Sequence, residues 1–143
     1  MTVGSILKSK GNAVYTIDGG RMLADAAALL AERKVGAVVV VDDVNSIMGI
    51  LGEREVVAAI AKYGAPVLTH PVRDHMVRDI AICKRSDSTE RLMSVMTSSR
   101  LRHVPVVEAG LLVGIVSIGD IVKRRIADSE FEAKALHDYI TMH

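Results

Sequence analysis

One pattern occurs twice in this chain and leaves few folds open. The stretch Gly114-Ile115-Val116-Ser117-Ile118-Gly119-Asp120 has a weaker copy at Gly49-Ile50-Leu51-Gly52-Glu53-Arg54-Glu55. In each, a short aliphatic run passes straight into apolar residues at helical spacing, which are Ile121, Val122 and Ile126 in the later copy. A strand that runs into a helix N-terminus leaves backbone N–H groups without intrahelical partners. Two readings follow. Ser117 and Asp120 have the Ser-x-x-acid spacing of a capping box that closes its own helix. The same donors also suit the polar end of a small anionic ligand.

The two junctions sit in a longer repetition. Leu30 matches Met96, Val35 matches Leu101, Val40-Val41 matches Val106-Val107, and Gly49-Ile50-Leu51 matches Gly114-Ile115-Val116. The period of about 65 residues exceeds that of common solenoid units. It predicts a mixed α/β (α+β) fold of two pseudo-symmetric β-α-β-β-α repeats packed sheet to sheet, plus a C-terminal helix. Each copy alone is near the size at which a core becomes marginal, so face-to-face packing is expected. The divisions are a lead-in helix at 1–12, repeat one at 13–64, a connector at 65–78, repeat two at 79–127 and the final helix at 128–143.

Local signals supply the elements. Val3, Ile6 and Leu7 mark the lead-in helix, and Ala13-Val14-Tyr15-Thr16-Ile17 reads as extended up to the turn Asp18-Gly19-Gly20. Leu23, Ala26, Ala27, Leu30 and Ala31 share one face of a helix over 22–34. Gly36 to Val41 is apolar enough for a strand covered on both faces, with 47–51 as its partner. A helix over 53–63 stops at Gly64, and the connector holds Pro66 and Pro71, with one helical turn expected over 72–76. The order then restarts. Ile80-Ala81-Ile82 is expected to be extended, and Asp87-Ser88-Thr89-Glu90 starts a helix with its own capping box. Strands follow over 104–107 and 111–116. Ser129 and Glu132 are expected to open a separate last helix, whose Phe131, Leu136, Tyr139 and Ile140 cover either their own domain or a second subunit.

Composition removes several function classes. Eighteen Lys and Arg against 17 Asp and Glu give a formal charge of +1, with no global pull toward nucleic acid. Apolar runs are about a strand long, too short to span a bilayer. The single Cys83 lies in an apolar run and reads as a buried thiol, which with no leader-like segment predicts a cytoplasmic protein. His70, His75, His103, His137 and His143 show no ligand spacing with a carboxylate, so no metal site is expected. There is no P-loop, no Gly-x-Gly-x-x-Gly and no paired acid and base, and Ile115 stands where a nucleophile elbow needs its leading glycine. The reading is not an enzyme.

Arg100-Leu101-Arg102-His103-Val104-Pro105-Val106-Val107, followed by the Gly114 to Asp120 junction and Ile121-Val122, resembles the second half of a tandem CBS-domain pair, or Bateman module. The resemblance spans roughly 9–125 and implies a regulatory module without catalysis. Its ligand would contain adenosine (AMP, ADP, ATP, an NAD-type dinucleotide or S-adenosylmethionine), bound in the cleft between repeats, with a change of shape or oligomeric state as the signal. By resemblance, Asp120 holds the ribose hydroxyls, Ser117 lies near phosphate or ribose, backbone at Val104 and Pro105 meets adenine, and Arg102 contacts phosphate with Arg100 or His103 assisting. Each of these three side chains reads equally as a solvated strand entrance. The first repeat departs from the pattern. Gly52 replaces the hydroxyl, Glu55 the aspartate and Gly36 the arginine, so its site is weaker or differently selective; Arg54 reads as a phosphate contact or a solvated helix start. Expected partners are the adenosine ligand, a second copy in a homodimer and an unidentified regulated protein, with no nucleic acid and no membrane. The alternative is a ligand-independent dimerisation scaffold.

Overall fold

A computed structural model describes residues 1–142; His143 lies outside the described residues. In chain order the elements are α1 (Val3–Lys10), β1 (Thr16–Asp18), α2 (Leu23–Arg33), β2 (Ala37–Val41), β3 (Ile47–Gly52), α3 (Glu53–Tyr63), α4 (Thr89–Ser99), β4 (His103–Glu108), β5 (Leu111–Ser117) and α5 (Ile118–Met142). Two 3-10 helices, Ala65–Thr69 and Val72–Asp74, lie between α3 and α4. The chain is mixed α/β and forms two compact units, Ala13–Ala81 and Met1–Asn12 with the described residues from Ile82 onward.

In the Ala13–Ala81 unit, β2 is the centre of a three-stranded sheet ordered β1-β2-β3. Every residue of β2 is buried, as its unbroken Ala-Val run requires. It pairs parallel with β1, Ile17 opposite Val40, and antiparallel with β3, Val39 opposite Ile50. The parallel pair needs a crossover, which α2 supplies. Leu23, Ala26 and Leu30 of α2 are buried at helical spacing with Val38, Val40, Leu51 and Val56. The chain over Val72, Met76 and Val77 closes this core, because Val77 exchanges two backbone hydrogen bonds with Ile50, at 3.0 and 2.8 Å.

The second unit repeats the plan with a different closing segment. β4 and β5 pair antiparallel from His103 opposite Ser117 to Glu108 opposite Leu111. Here α1 closes the core: Val3, Ile6 and Leu7 join Leu92, Met96, Val104, Val106, Val116 and Ile121. Thr2 and Ser5 form a reciprocal cap, and the amides of Val3 and Gly4 donate to the carbonyls of Asp87 and Arg85, both at 2.9 Å. The lead-in helix is thus part of the core of the unit that carries the second junction.

Three local expectations fail for identifiable reasons. Ile80-Ala81-Ile82 is not a strand. Pairing shrinks to one parallel bridge between Cys83 and Val106, since Asp79 precedes the run and 84–87 turns away directly after it. At α4, Ser88 alone is the N-cap, accepting from Arg91 N–H at 3.1 Å, so Glu90 falls at the wrong position for a reciprocal box. Asp87 instead accepts from Lys84 N–H and pairs with Arg91. Finally, Ser129 does not start a helix: α5 runs unbroken for 25 residues. No Gly or Pro intervenes after Gly119, and continuing a helix avoids a second costly nucleation.

Candidate functional site

The β5–α5 junction is stitched before any side chain acts. The Ile118 N–H donates to the Arg102 carbonyl at 3.0 Å, which ties the head of α5 to the entrance of β4. Ser117 and Asp120 then close a full capping box. Asp120 N–H donates to Ser117 Oγ at 3.0 Å, and Ser117 N–H donates to Asp120 Oδ2 at 2.9 Å. The capping reading of the sequence is therefore realised in the fold.

A second partner makes Asp120 more than a cap. Lys10, at the end of α1, places Nζ 2.6 Å from Asp120 Oδ2 and also donates to the Ile115 carbonyl at 2.9 Å. The two side chains are 31% and 22% exposed, so the pair is partly shielded from water. Burial pushes the Asp120 carboxyl up, but the Lys10 ammonium and the Ser117 N–H outweigh it and hold the group below the usual carboxylate range. Asp120 is a firmly ionised carboxylate at a helix N-terminus. Both bonds fall on Oδ2; Oδ1 carries neither.

Two hollows lie at the head of α5, and the carboxylate lines the smaller one. A cleft of about 590 Å³ is lined by Arg102, His103, Ser117, Ile118, Gly119, Val122, Lys123 and Ile126. That volume is within the range of small-molecule sites, about 300–1,000 Å³. A smaller hollow of about 170 Å³ contains Lys10, Asp120, Lys123 and Arg124 beside Ile6, Ser9 and Ala127. Lys123 borders both. Arg124 faces Asp128 at 3.4 Å and is partly neutralised. One ionised carboxylate beside Lys10 and Lys123, with Arg102 on the neighbouring cleft that Lys123 also borders, suits a ligand that offers hydroxyls at one end and negative charge at the other.

The structure brings Arg102, His103 and Ser117 together on the cleft, with Asp120 just behind Ser117. The other expected residues are placed differently. Arg100 is the left-handed C-cap of α4, at φ 54, and does not border the cleft. Val104 is wholly buried in the core. The Pro105 carbonyl accepts from Cys83 N–H at 3.0 Å and is already used. Arg54 is exposed on the first turn of α3, in the Ala13–Ala81 unit. Lys10 and Lys123 escaped the sequence reading. Lys123 was detectable, one turn beyond Asp120; Lys10 was not, since 110 residues separate it from its partner. Cys83 is the buried thiol expected: burial first, then the Asp87 charge, raises it to about 12, too high for a nucleophile. No helix among the described residues is long and apolar enough to cross a membrane.

Comparison with known proteins accounts for both halves. The CBS domain model matches residues 3–62 and 72–127. A mitochondrial CBS domain-containing protein of Arabidopsis thaliana, CBSX3, is 30% identical over 150 aligned positions, covering 97% of this chain and 71% of its own. The crystal structure of the CBS-domain containing protein ATU1752 from Agrobacterium tumefaciens superposes with a TM-score of 0.82 at 42% identity, covering 87% of this chain and 92% of that one. The CBS domain protein PAE2072 from Pyrobaculum aerophilum, solved in complex with AMP, shares the fold, with a TM-score of 0.74 at 24% identity over 84% of this chain and 89% of its own.

Proposed function

This chain belongs to the CBS-domain family, and from that premise we propose that it is a non-catalytic regulatory module that binds an adenosine-containing ligand at the head of α5. The observation that carries the reading is the Asp120 carboxylate, kept ionised by Lys10 and set beside a nucleotide-sized cleft with Arg102 and Lys123 on its walls. The AMP complex of the Pyrobaculum protein supports the ligand class. In this reading Asp120 accepts ribose hydroxyls, while Arg102, Lys123 and the first turn of α5 meet phosphate. Asp120 is already engaged with Lys10, so a ribose must either share the carboxylate through Oδ1 or displace the lysine toward phosphate. Binding would then loosen α1 from α5, the kind of local change that a regulated partner protein can read.

Titration calorimetry with AMP, ADP, ATP, NAD and S-adenosylmethionine, with GMP as the control, tests this directly. Saturable heat with one or more adenosine ligands and at least about tenfold weaker GMP binding is expected, a gap of about 1.4 kcal/mol. Equal binding of AMP and GMP, or no binding of any adenosine compound, would overturn it.

A second reading has its own support. Ser117 and Asp120 use their side chains to cap α5, and Ile126, Phe131, Leu136 and Ile140 of α5 are more than half exposed. A homodimer that covers the α5 tail would act as a scaffold whether or not a nucleotide binds. Light scattering at tens of micromolar distinguishes dimer from monomer.

A further inference from the structure

Histidine spacing in the sequence points to no metal site, yet the fold of the Ala13–Ala81 unit brings two histidines together. His70 follows the 3-10 helix Ala65–Thr69 and His75 follows Val72–Asp74. Their backbones are tied down. The His70 N–H donates to the Val67 carbonyl and its carbonyl accepts from Leu23 N–H, both at 2.9 Å, and the His75 N–H donates to the Val72 carbonyl at 3.0 Å. The rings stack with planes 21° apart, and His75 Nε2 lies 3.4 Å from His70 Nδ1.

That distance is at the long end for an N–H hydrogen bond, which with an oxygen acceptor prefers about 2.7–3.2 Å. It does match two imidazole nitrogens sharing a tetrahedral ion: metal–nitrogen bonds of about 2.0–2.1 Å put them about 3.3–3.4 Å apart. Tyr63 stands against both rings, its centroid 6.3 Å from His70 and 5.8 Å from His75. His70 is exposed, so an ion has access from solvent.

We propose that His70 and His75 form a two-imidazole site for a divalent transition-metal ion of the copper and zinc class, with water or an external ligand completing the coordination. Imidazole selects such ions over magnesium or calcium, and copper binds most tightly in the series. No group of three His, Cys, Asp or Glu that could hold a metal is present among the described residues, so the site is open and exchangeable. The ion clips together the two 3-10 helices on either side of Pro71. It thereby braces the chain over Val72, Met76 and Val77, which closes the core of this unit. The inference does not depend on nucleotide binding at α5.

Cu²⁺ titrated into the full chain tests it. The chain has three Tyr and no Trp, so a bound paramagnetic ion quenches the Tyr63 share of the emission. Expected are one saturable equivalent, nitrogen hyperfine structure in the Cu²⁺ resonance spectrum, and loss of the quenching in Tyr63→Phe. Loss of even an outer partner of a metal ligand costs about 10–100-fold, so His70→Gln and His75→Gln should each weaken Cu²⁺ binding at least about tenfold. His137→Gln should leave it unchanged. His70 is exposed and His75 partly so, and circular dichroism on each variant checks that it remains folded. Wild-type affinity in His70→Gln and His75→Gln, or no saturable binding by the wild type, would leave only a stacked histidine pair and overturn the proposal.

Discussion

At the head of α3, Glu53 N–H donates to the Gly36 carbonyl at 3.1 Å; at the head of α5, Ile118 N–H donates to the Arg102 carbonyl at 3.0 Å. The backbone stitch is the same, and the side chains around it are not. Glu55 Oε2 accepts from Gly52 N–H at 3.0 Å, but glycine has no side-chain oxygen to accept from the Glu55 amide in return. Ser117 and Asp120 exchange both bonds and add Lys10. Among the described residues Glu55 has no ion pair of its own. A repeated backbone can therefore hold a helix in place twice while concentrating charge once, and only the second junction has the composition of an anion-tolerant polar site.

The largest expected effect breaks the comparison at the acids. If Asp120 accepts two ribose hydroxyls, Asp120→Ala should cost about 2–4 kcal/mol of AMP or ATP affinity, a drop of about thirty- to nearly a thousandfold. Asp120→Asn keeps the size and removes the charge, and should lose much of the same affinity. Glu55→Gln should change little. Calorimetry on the three variants decides it; a titration weakened only by Glu55→Gln would move the ligand to the other unit.

A smaller effect separates the two matched glycines that precede the junctions. A Cβ at Gly49 would run into the Val77 carbonyl and reach 3.0 Å from Met76 Sδ, whereas one at Gly114 would meet the Leu7 methyls at 2.9 and 3.0 Å. The first obstacle is backbone locked by two hydrogen bonds, and the second is the end of a rotatable side chain. Overpacking costs about 1–3 kcal/mol, so Gly49→Ala should lie at the upper end and Gly114→Ala at or below the lower. Denaturant melts measure the difference. Equal losses would mean that α1 is held as rigidly as the Val77 segment.

The smallest effect concerns the Lys10–Asp120 pair, worth at most about 1 kcal/mol for partly exposed charges. The folded carboxyl is held below its unfolded value, so its contribution to stability is complete above an ordinary aspartate pKa of about 3.9 and is lost as pH falls through the lowered value. Acid unfolding followed by circular dichroism should show this dependence in the wild type and not in Asp120→Asn. Lys10→Met removes the main lowering influence and leaves burial in place, so the Asp120 carboxyl should titrate at higher pH by NMR. An unchanged titration in Lys10→Met would show that the Ser117 amide alone holds the charge.

Much of this was legible because it is local. Capping at Ser117 and Asp120 spans three positions, β2 is apolar because both its faces are covered, and the matched aliphatic runs exposed the repeat. The misreadings were also of local signals: Ser129 and Glu132 have capping spacing inside a helix that had no reason to stop, and Ile80-Ala81-Ile82 has strand composition although pairing with β4 is confined to the Cys83 bridge after it. By itself, then, the sequence determined the two repeats, the helices and strands apart from 80–82 and the supposed break at Ser129, and the asymmetry between Gly52 with Glu55 and Ser117 with Asp120. Tertiary structure alone decided that α1 closes the unit of the second repeat, that Lys10 reaches Asp120 across 110 positions, and that His70 and His75 face one another across Pro71. The physical reason is reach. A cap is closed by the geometry of one helical turn, whereas a salt bridge or a histidine pair forms only where packing of distant apolar faces happens to bring the side chains together.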